Sequence, residues 1–242
     1  MTAIGVMPLL ALSGVDAYYG DSHILFDLSI SVGEGEVVCL LGRNGAGKTT
    51  TLKSIIGLVP PRSGTVALRG QAVTGLPPFR VARMGIGYVP EERRIFGNLT
   101  VRENLEVARR TWSDGGAAPW TAERVFELFP HLATLRDRNA GRLSGGEQQM
   151  LTIARTLMGS PALLLLDEPS EGLAPLVVQM LAEQLARLKA TGLTMLVAEQ
   201  NVHFVSELGD RVYILEKGTV RYQGGMAEFL ADEQVRRAHL AV

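Results

Sequence analysis

Gly42-Arg43-Asn44-Gly45-Ala46-Gly47-Lys48-Thr49 decides how the rest of this chain is read. It has the spacing G-x-x-x-x-G-K-[ST]. The preceding Val37-Val38-Cys39-Leu40-Leu41 is short, apolar and β-branched, as a buried strand is, and Thr49 to Ile56 reads as a helix stopped by Gly57 and Pro60-Pro61. Glycines in such a loop let successive backbone N–H groups turn toward an anion, and the positive end of the following helix adds its attraction. Lys48 then reaches the β- and γ-phosphates of a nucleotide as a point charge, and the Thr49 hydroxyl becomes a ligand for Mg²⁺. Gly42, Asn44, Gly45, Ala46, Gly47, Lys48, Thr49 and Thr50 are the expected phosphate-binding residues. A glycine-rich turn that merely precedes a lysine would not need a strand before it and a helix after it.

The whole chain sets bounds on what surrounds this loop. Its 242 residues can bury a sizeable core, and 46% hydrophobic with 20% charged residues is the composition of a globular protein. The 24 basic and 25 acidic side chains nearly cancel, so nothing argues for a nucleic-acid or anionic-lipid surface. The single cysteine, Cys39, lies inside the expected buried strand and reads as a small core hydrophobe. No apolar run approaches the roughly 20 residues that span a bilayer. Met1 to Val15 carries no charged side chain but lacks a basic start, and is expected to be an irregular lead into a strand. No internal repeat is found, which points to one nucleotide-binding module.

From about Gly14 to Leu41 short strands alternate with turn signals, and Gly64 to Gly70 is another strand. A proline-marked helix start near Leu76-Pro77-Pro78-Phe79 precedes Ile86–Pro90, a strand ending in a loop. Thr100 with Glu103 forms a capping box, Ser113 to Pro119 a loop, and Ala122 to Phe129 a helix closed by Pro130. Strands and helices then alternate again: Ala162–Leu166, Leu176–Lys189, Thr194–Ala198, and a hairpin over Arg211–Tyr222 turning at Lys217-Gly218. The expected fold class is an α/β P-loop NTPase core with N-terminal antiparallel β elements and an inserted helical subdomain. Residues 1–94 and 150–225 form the core, 95–149 the insertion and 226–242 a tail.

Two further segments carry chemistry. Four leucines followed by Asp167-Glu168 place two carboxylates at the C-terminal end of a buried strand, the edge where open α/β sheets bind ligands. Asp167 is expected to hold Mg²⁺, and Glu168 to polarise the water that attacks the γ-phosphate. In Leu143-Ser144-Gly145-Gly146-Glu147-Gln148, Ser144 and Glu147 have capping-box spacing before an apolar helical face. Paired glycines just inside a helix weaken it, so Gly145 and Gly146 suggest backbone that must approach an anion.

Taken together, these segments resemble the ATP-binding cassette ATPases over nearly the whole chain. Gly42–Thr49 looks like the Walker A loop, Leu143–Gln148 like the signature, Leu163–Glu168 like Walker B, and Ser170-Glu171-Gly172-Leu173-Ala174 like the D-loop. The resemblance places Tyr19 where an aromatic ring stacks on adenine, and Ile86 to Glu91 where the family carries its Q-loop. It implies that two cassettes pair head to tail, with Ser144, Gly145 and Gly146 contacting ATP held by the other chain.

The chain departs from the family pattern at two sites. Glu91, the expected metal-side Q-loop residue, replaces a glutamine, and Gln200 replaces the histidine that senses the γ-phosphate. An amide still donates a hydrogen bond, but it cannot carry a proton. These departures, with Val89–Phe96 and Glu199-Gln200-Asn201, look like the smaller ATPase subunit of branched-chain amino acid importers. That resemblance implies a peripheral subunit at the cytoplasmic face of the inner membrane. Its partners would be a second ATPase, two permease subunits and, indirectly, a periplasmic binding protein. A urea or amide importer, a lipopolysaccharide-type exporter, whose relatives keep the histidine, and a soluble ATPase are the alternatives.

Overall fold

The computed structural model describes residues 7–109 and 119–240. The loop expected over Ser113–Pro119 falls, apart from Pro119, outside them.

Two sheets face each other. The first is antiparallel, with strands β1 (Leu10–Tyr19), β2 (Ser22–Val32), β4 (Ser63–Leu68) and β5 (Gln71–Ala72) in the order β2-β1-β4-β5. The second contains β3 (Val37–Leu41), β6 (Ile86–Val89), β7 (Leu163–Asp167), β8 (Thr194–Glu199), β9 (Arg211–Glu216) and β10 (Thr219–Gly225), ordered β10-β9-β3-β8-β7-β6. All its pairs are parallel except the β9–β10 hairpin. The first strand begins at Leu10, so Leu10 to Val15, expected to belong to an irregular lead, already lie in a strand that pairs with β2 and β4. Leu10 and Leu12 face the core there, which an uncharged but unpunctuated run did not reveal.

Period-2 alternation explains how one strand serves two cores. Val38 and Leu40 of β3 face the antiparallel sheet, where they pack with Leu12, Val15, Leu28 and the helix residues Leu52 and Ile55. Val37, Cys39 and Leu41 face the other way. There they join the helices α3 (Val101–Ala108), α4 (Ala122–Leu128), α5 (Pro130–Thr134), α6 (Gly145–Leu157) and α7 (Pro175–Ala190). Burial pushes the Cys39 thiol far above its ordinary pKa, as a core hydrophobe requires. Pro130 does not simply close a helix: it opens α5 as its N1 residue, where a missing N–H costs nothing.

The parallel register sets the site. Leu41 stands beside Glu199, Asp167 beside Ala198, and Val89 beside Leu166. The C-terminal ends of β3, β8, β7 and β6 therefore present, side by side, the Gly42 loop, Gln200, Asp167-Glu168 and the loop leading to Glu91.

Candidate nucleotide site

The phosphate loop is built from left-handed glycines and a bare helix end. Gly45 and Gly47 have φ of 78° and 108°, values at which a side chain would be strained. Helix α1 (Lys48–Ile56) opens without a side-chain cap, leaving its first N–H groups free to meet an anion. At its far end Gly57, also left-handed, donates to Ser54 and closes it.

Lys48 is buried, and its ammonium makes three contacts. It donates to the carbonyls of Gly42 (2.6 Å) and Arg43 (3.2 Å) and lies 2.9 Å from Glu168 Oε1. An ammonium has three protons, so an arriving phosphate must displace one of these partners. Burial pushes the Glu168 carboxyl above the usual carboxylate range, and Lys48 opposes that rise. Glu168 itself sits at φ 45°, a conformation uncommon outside glycine and frequent at functional sites.

Thr49 and Asp167 lie together. Thr49 Oγ1 donates to Asp167 Oδ1 at 2.9 Å, and Tyr88 donates its hydroxyl to Asp167 Oδ2 at 2.9 Å. Burial raises the Asp167 pKa against the pull of these two bonds. A hydroxyl and a carboxylate side by side are the hard oxygen donors that suit Mg²⁺, which takes one or two carboxylates and completes its shell with water and phosphate. Glu91 stays exposed and acts on the site through its charge, which adds to the rise at Asp167.

Gln200 donates from Nε2 to Asn44 Oδ1 at 2.7 Å, joining the switch position to the phosphate loop. Beneath it lies Glu199, which the sequence marks only as part of Glu199-Gln200-Asn201, with no role of its own. This buried carboxylate accepts N–H bonds from Ser170 (2.9 Å), Gln200 (2.9 Å) and Asn201 (3.0 Å), so one side chain fixes the start of the D-loop and the switch loop together. The signal was present as an acidic residue closing an otherwise apolar strand. Tyr88, inside the Ile86–Glu91 stretch, meets Asp167 only because β6 pairs with β7.

Tyr19 lies on the exposed tip of the β1–β2 hairpin. The β2 strand behind it is coupled to the phosphate loop, because Phe26 N–H donates to Gly218 O (3.0 Å) and Gly218 N–H to Ala46 O (2.9 Å). Ser144 is exposed at the start of α6, with the capping box to Glu147 formed in both directions. Its neighbours are Glu147, Gly145 and Gly146, with no phosphate-loop residue hydrogen-bonded to it among the described residues. Room for packing also accounts for the two glycines: a Cβ on Gly145 would meet the Arg93 guanidinium, and one on Gly146 would meet Val177. These close neighbours stand beside the expected approach of an anion as a second reason for the glycines.

A glycine-rich loop opening an uncapped helix, an acidic strand end and a buried lysine–glutamate pair between them are the arrangement of a nucleoside-triphosphatase. The ABC transporter family profile matches residues 25–171. The chain is 42% identical over 232 residues, 96% of its length and 99% of the relative's, to the high-affinity branched-chain amino acid transport ATP-binding protein BraG of Pseudomonas aeruginosa. It is 36% identical over 236 residues, 97% and 98% of the two lengths, to the lipopolysaccharide export system ATP-binding protein LptB of Escherichia coli. An ADP-bound ATP-binding cassette of an ABC transporter superposes with a TM-score of 0.80 at 29% identity, covering 95% of this chain and 97% of that one. The chain belongs to the ABC transporter family, as an ATP-binding and ATP-hydrolysing subunit.

Proposed function

We propose that this subunit energises the import of branched-chain or chemically related amino acids. The observation that carries the proposal is the 42% identity to BraG across almost the whole of both chains. The Gln200 position supports it, since the exporter relatives implied by the resemblance keep a histidine there.

ATP would bind with its triphosphate on the Gly42–Thr50 loop and its adenine against Tyr19. Lys48 leaves Glu168 for the β- and γ-phosphates. Glu168 thereby loses the cation that holds its pKa down and becomes a stronger base toward the attacking water. Thr49 and Asp167 would hold Mg²⁺, which neutralises phosphate charge when bound. Gln200 is released from Asn44 to donate to the γ-phosphate. Ser144, Gly145 and Gly146 of a facing ATPase subunit would close the site from the other side.

A groove of about 320 Å³ lies between β6 and helices α3 and α6, lined by Gly87, Tyr88, Ala108, Arg155 and Thr156. It borders the strand that carries Tyr88 and leads to Glu91. A helix from a permease seated there would sense the Asp167 neighbourhood, which suits a peripheral subunit at the cytoplasmic face of the membrane. Among the described residues no helix is long and apolar enough to cross a membrane.

The test is to isolate the membrane complex through a tag on this chain, identify its partners and measure ATP turnover in proteoliposomes. A permease pair with turnover stimulated by a leucine- or valine-loaded binding protein is expected. A complex that instead binds lipopolysaccharide would establish the second reading, which the 36% identity to LptB favours.

A further inference from the structure

We propose that Arg93 reaches across the subunit boundary and binds the γ-phosphate of the ATP held by the facing ATPase subunit. The inference rests on the two-chain site described above and adds to it a cation that no part of that reading assigned.

Arg93 lies in the loop between β6 and α3, half-buried. Its Nη2 donates to the backbone carbonyl of Glu171, in the D-loop, at 2.8 Å. The other end of the same guanidinium covers Gly145 so closely that a Cβ there would collide with Nη1, and Nη2 would stand 3.5 Å from a Cβ on Gly172. One planar side chain therefore spans the D-loop and the first turn of the signature helix, next to the exposed Ser144.

The electrostatics of this placement are unfavourable within one chain. Helix α6 is 13 residues long, and its N-terminus carries the positive end of the dipole, where a cation is repelled. Among the described residues no carboxylate stands within 4.0 Å of Arg93. The nearest acid along the helix, Glu147, has its own partners: it accepts from Ser144 N–H and lies 2.8 Å from His131 Nε2. Arg93 also holds a left-handed backbone, φ 44°, which disfavours any side chain with a Cβ.

An anion arriving at Ser144 relieves the repulsion. It would meet free α6 N–H groups, the Ser144 hydroxyl and a guanidinium whose fork matches phosphate geometry. The Glu171 carbonyl holds that fork in place beforehand, so little side-chain freedom is lost on binding. The terminal phosphate of a nucleotide is the anion that the paired arrangement delivers to this point, and ADP would not reach it.

The bland alternative is that Arg93 only ties the D-loop to the signature helix through the Glu171 carbonyl. Two substitutions separate the roles. Arg93→Gln keeps a donor for that carbonyl and removes the charge, while Arg93→Lys keeps the charge. ATP turnover is measured on the complex isolated through a tag on this chain, and ATP affinity on the isolated chain.

Arg93→Gln is expected to lower turnover about tenfold or more, the scale of a lost charged hydrogen bond, with Arg93→Lys, which keeps the charge without the fork, falling less. ATP affinity of the isolated chain should stay unchanged in both, because each chain's own triphosphate is held by Lys48. Turnover by Arg93→Gln equal to wild type, or an equal fall in both variants, would overturn the assignment. A wild-type complex without ATP turnover would instead remove the two-chain reading itself, and the Arg93 role with it.

Discussion

Lys48 Nζ lies 2.9 Å from Glu168 Oε1, and both side chains are buried. Before nucleotide arrives, the cation proposed to take the phosphates is thus held by the residue proposed to activate water. On that proposal each keeps the other from its task until a triphosphate separates them.

Glu168→Gln tests that pairing. Without a base, phosphate release is expected to fall by about 100- to 10,000-fold, while ATP binding persists because Lys48 and the loop N–H groups remain. Single-turnover phosphate release and equilibrium ATP binding measure the two separately. Hydrolysis at the wild-type rate would remove Glu168 from the role of base.

Gln200→Ala tests the switch position. Its Nε2 bond to Asn44 is one a γ-phosphate oxygen could take over. Loss of one hydrogen bond to a charged group predicts a fall in kcat of roughly 10- to 100-fold, with KM for ATP little changed. A change confined to KM would show that Gln200 serves binding only.

Much of this site could be read from the chain, and the reason is local. Gly42–Thr49, Asp167-Glu168 and Ser144–Gln148 are contiguous, so their spacing alone announces loops, strand ends and helix starts. Glu199, Tyr88 and Arg93 escaped because their roles depend on which strands become neighbours. Glu199 matters through Ser170, 29 positions away, and Arg93 through Glu171, 78 positions away. The left-handed Glu168 and Arg93 backbones were equally silent, since nothing in those residue types favours positive φ.

Gly218→Ala should uncouple the β1–β2 hairpin, proposed to meet the adenine, from the Gly42–Thr49 loop. Gly218 has φ 78°, and a Cβ there would collide with the Ile24 carbonyl. The left-handed conformation alone costs about 1–2 kcal/mol, and the collision adds to that. A lower urea midpoint together with weaker ATP binding is expected. Wild-type values for both would show that the Phe26–Gly218–Ala46 chain of bonds transmits nothing.

Asp16 makes a prediction about pH. It lies in β1 and accepts bonds from Ser63 Oγ and the Asp27 N–H, with His23 Nε2 at 2.9 Å, and these hold its carboxyl below the usual range. A carboxylate whose pKa is depressed by folding adds stability above its unfolded value, about 3.9, and loses it as pH falls through the lower folded value. Asp16→Asn should therefore lower the urea midpoint at pH 7, with the difference from wild type shrinking below about pH 4. An equal difference at both pH values would mean that the loss is steric.

On the proposed function one triphosphate is gripped by two chains. The most direct measurement is the structure of the assembled transporter, carrying Glu168→Gln and bound to ATP. Ser144 and Gly146 of this chain are expected within hydrogen-bonding distance of a γ-phosphate whose other face rests on the phosphate loop of the neighbouring ATPase subunit. A closed, ATP-loaded assembly with Ser144 facing bulk water would contradict it.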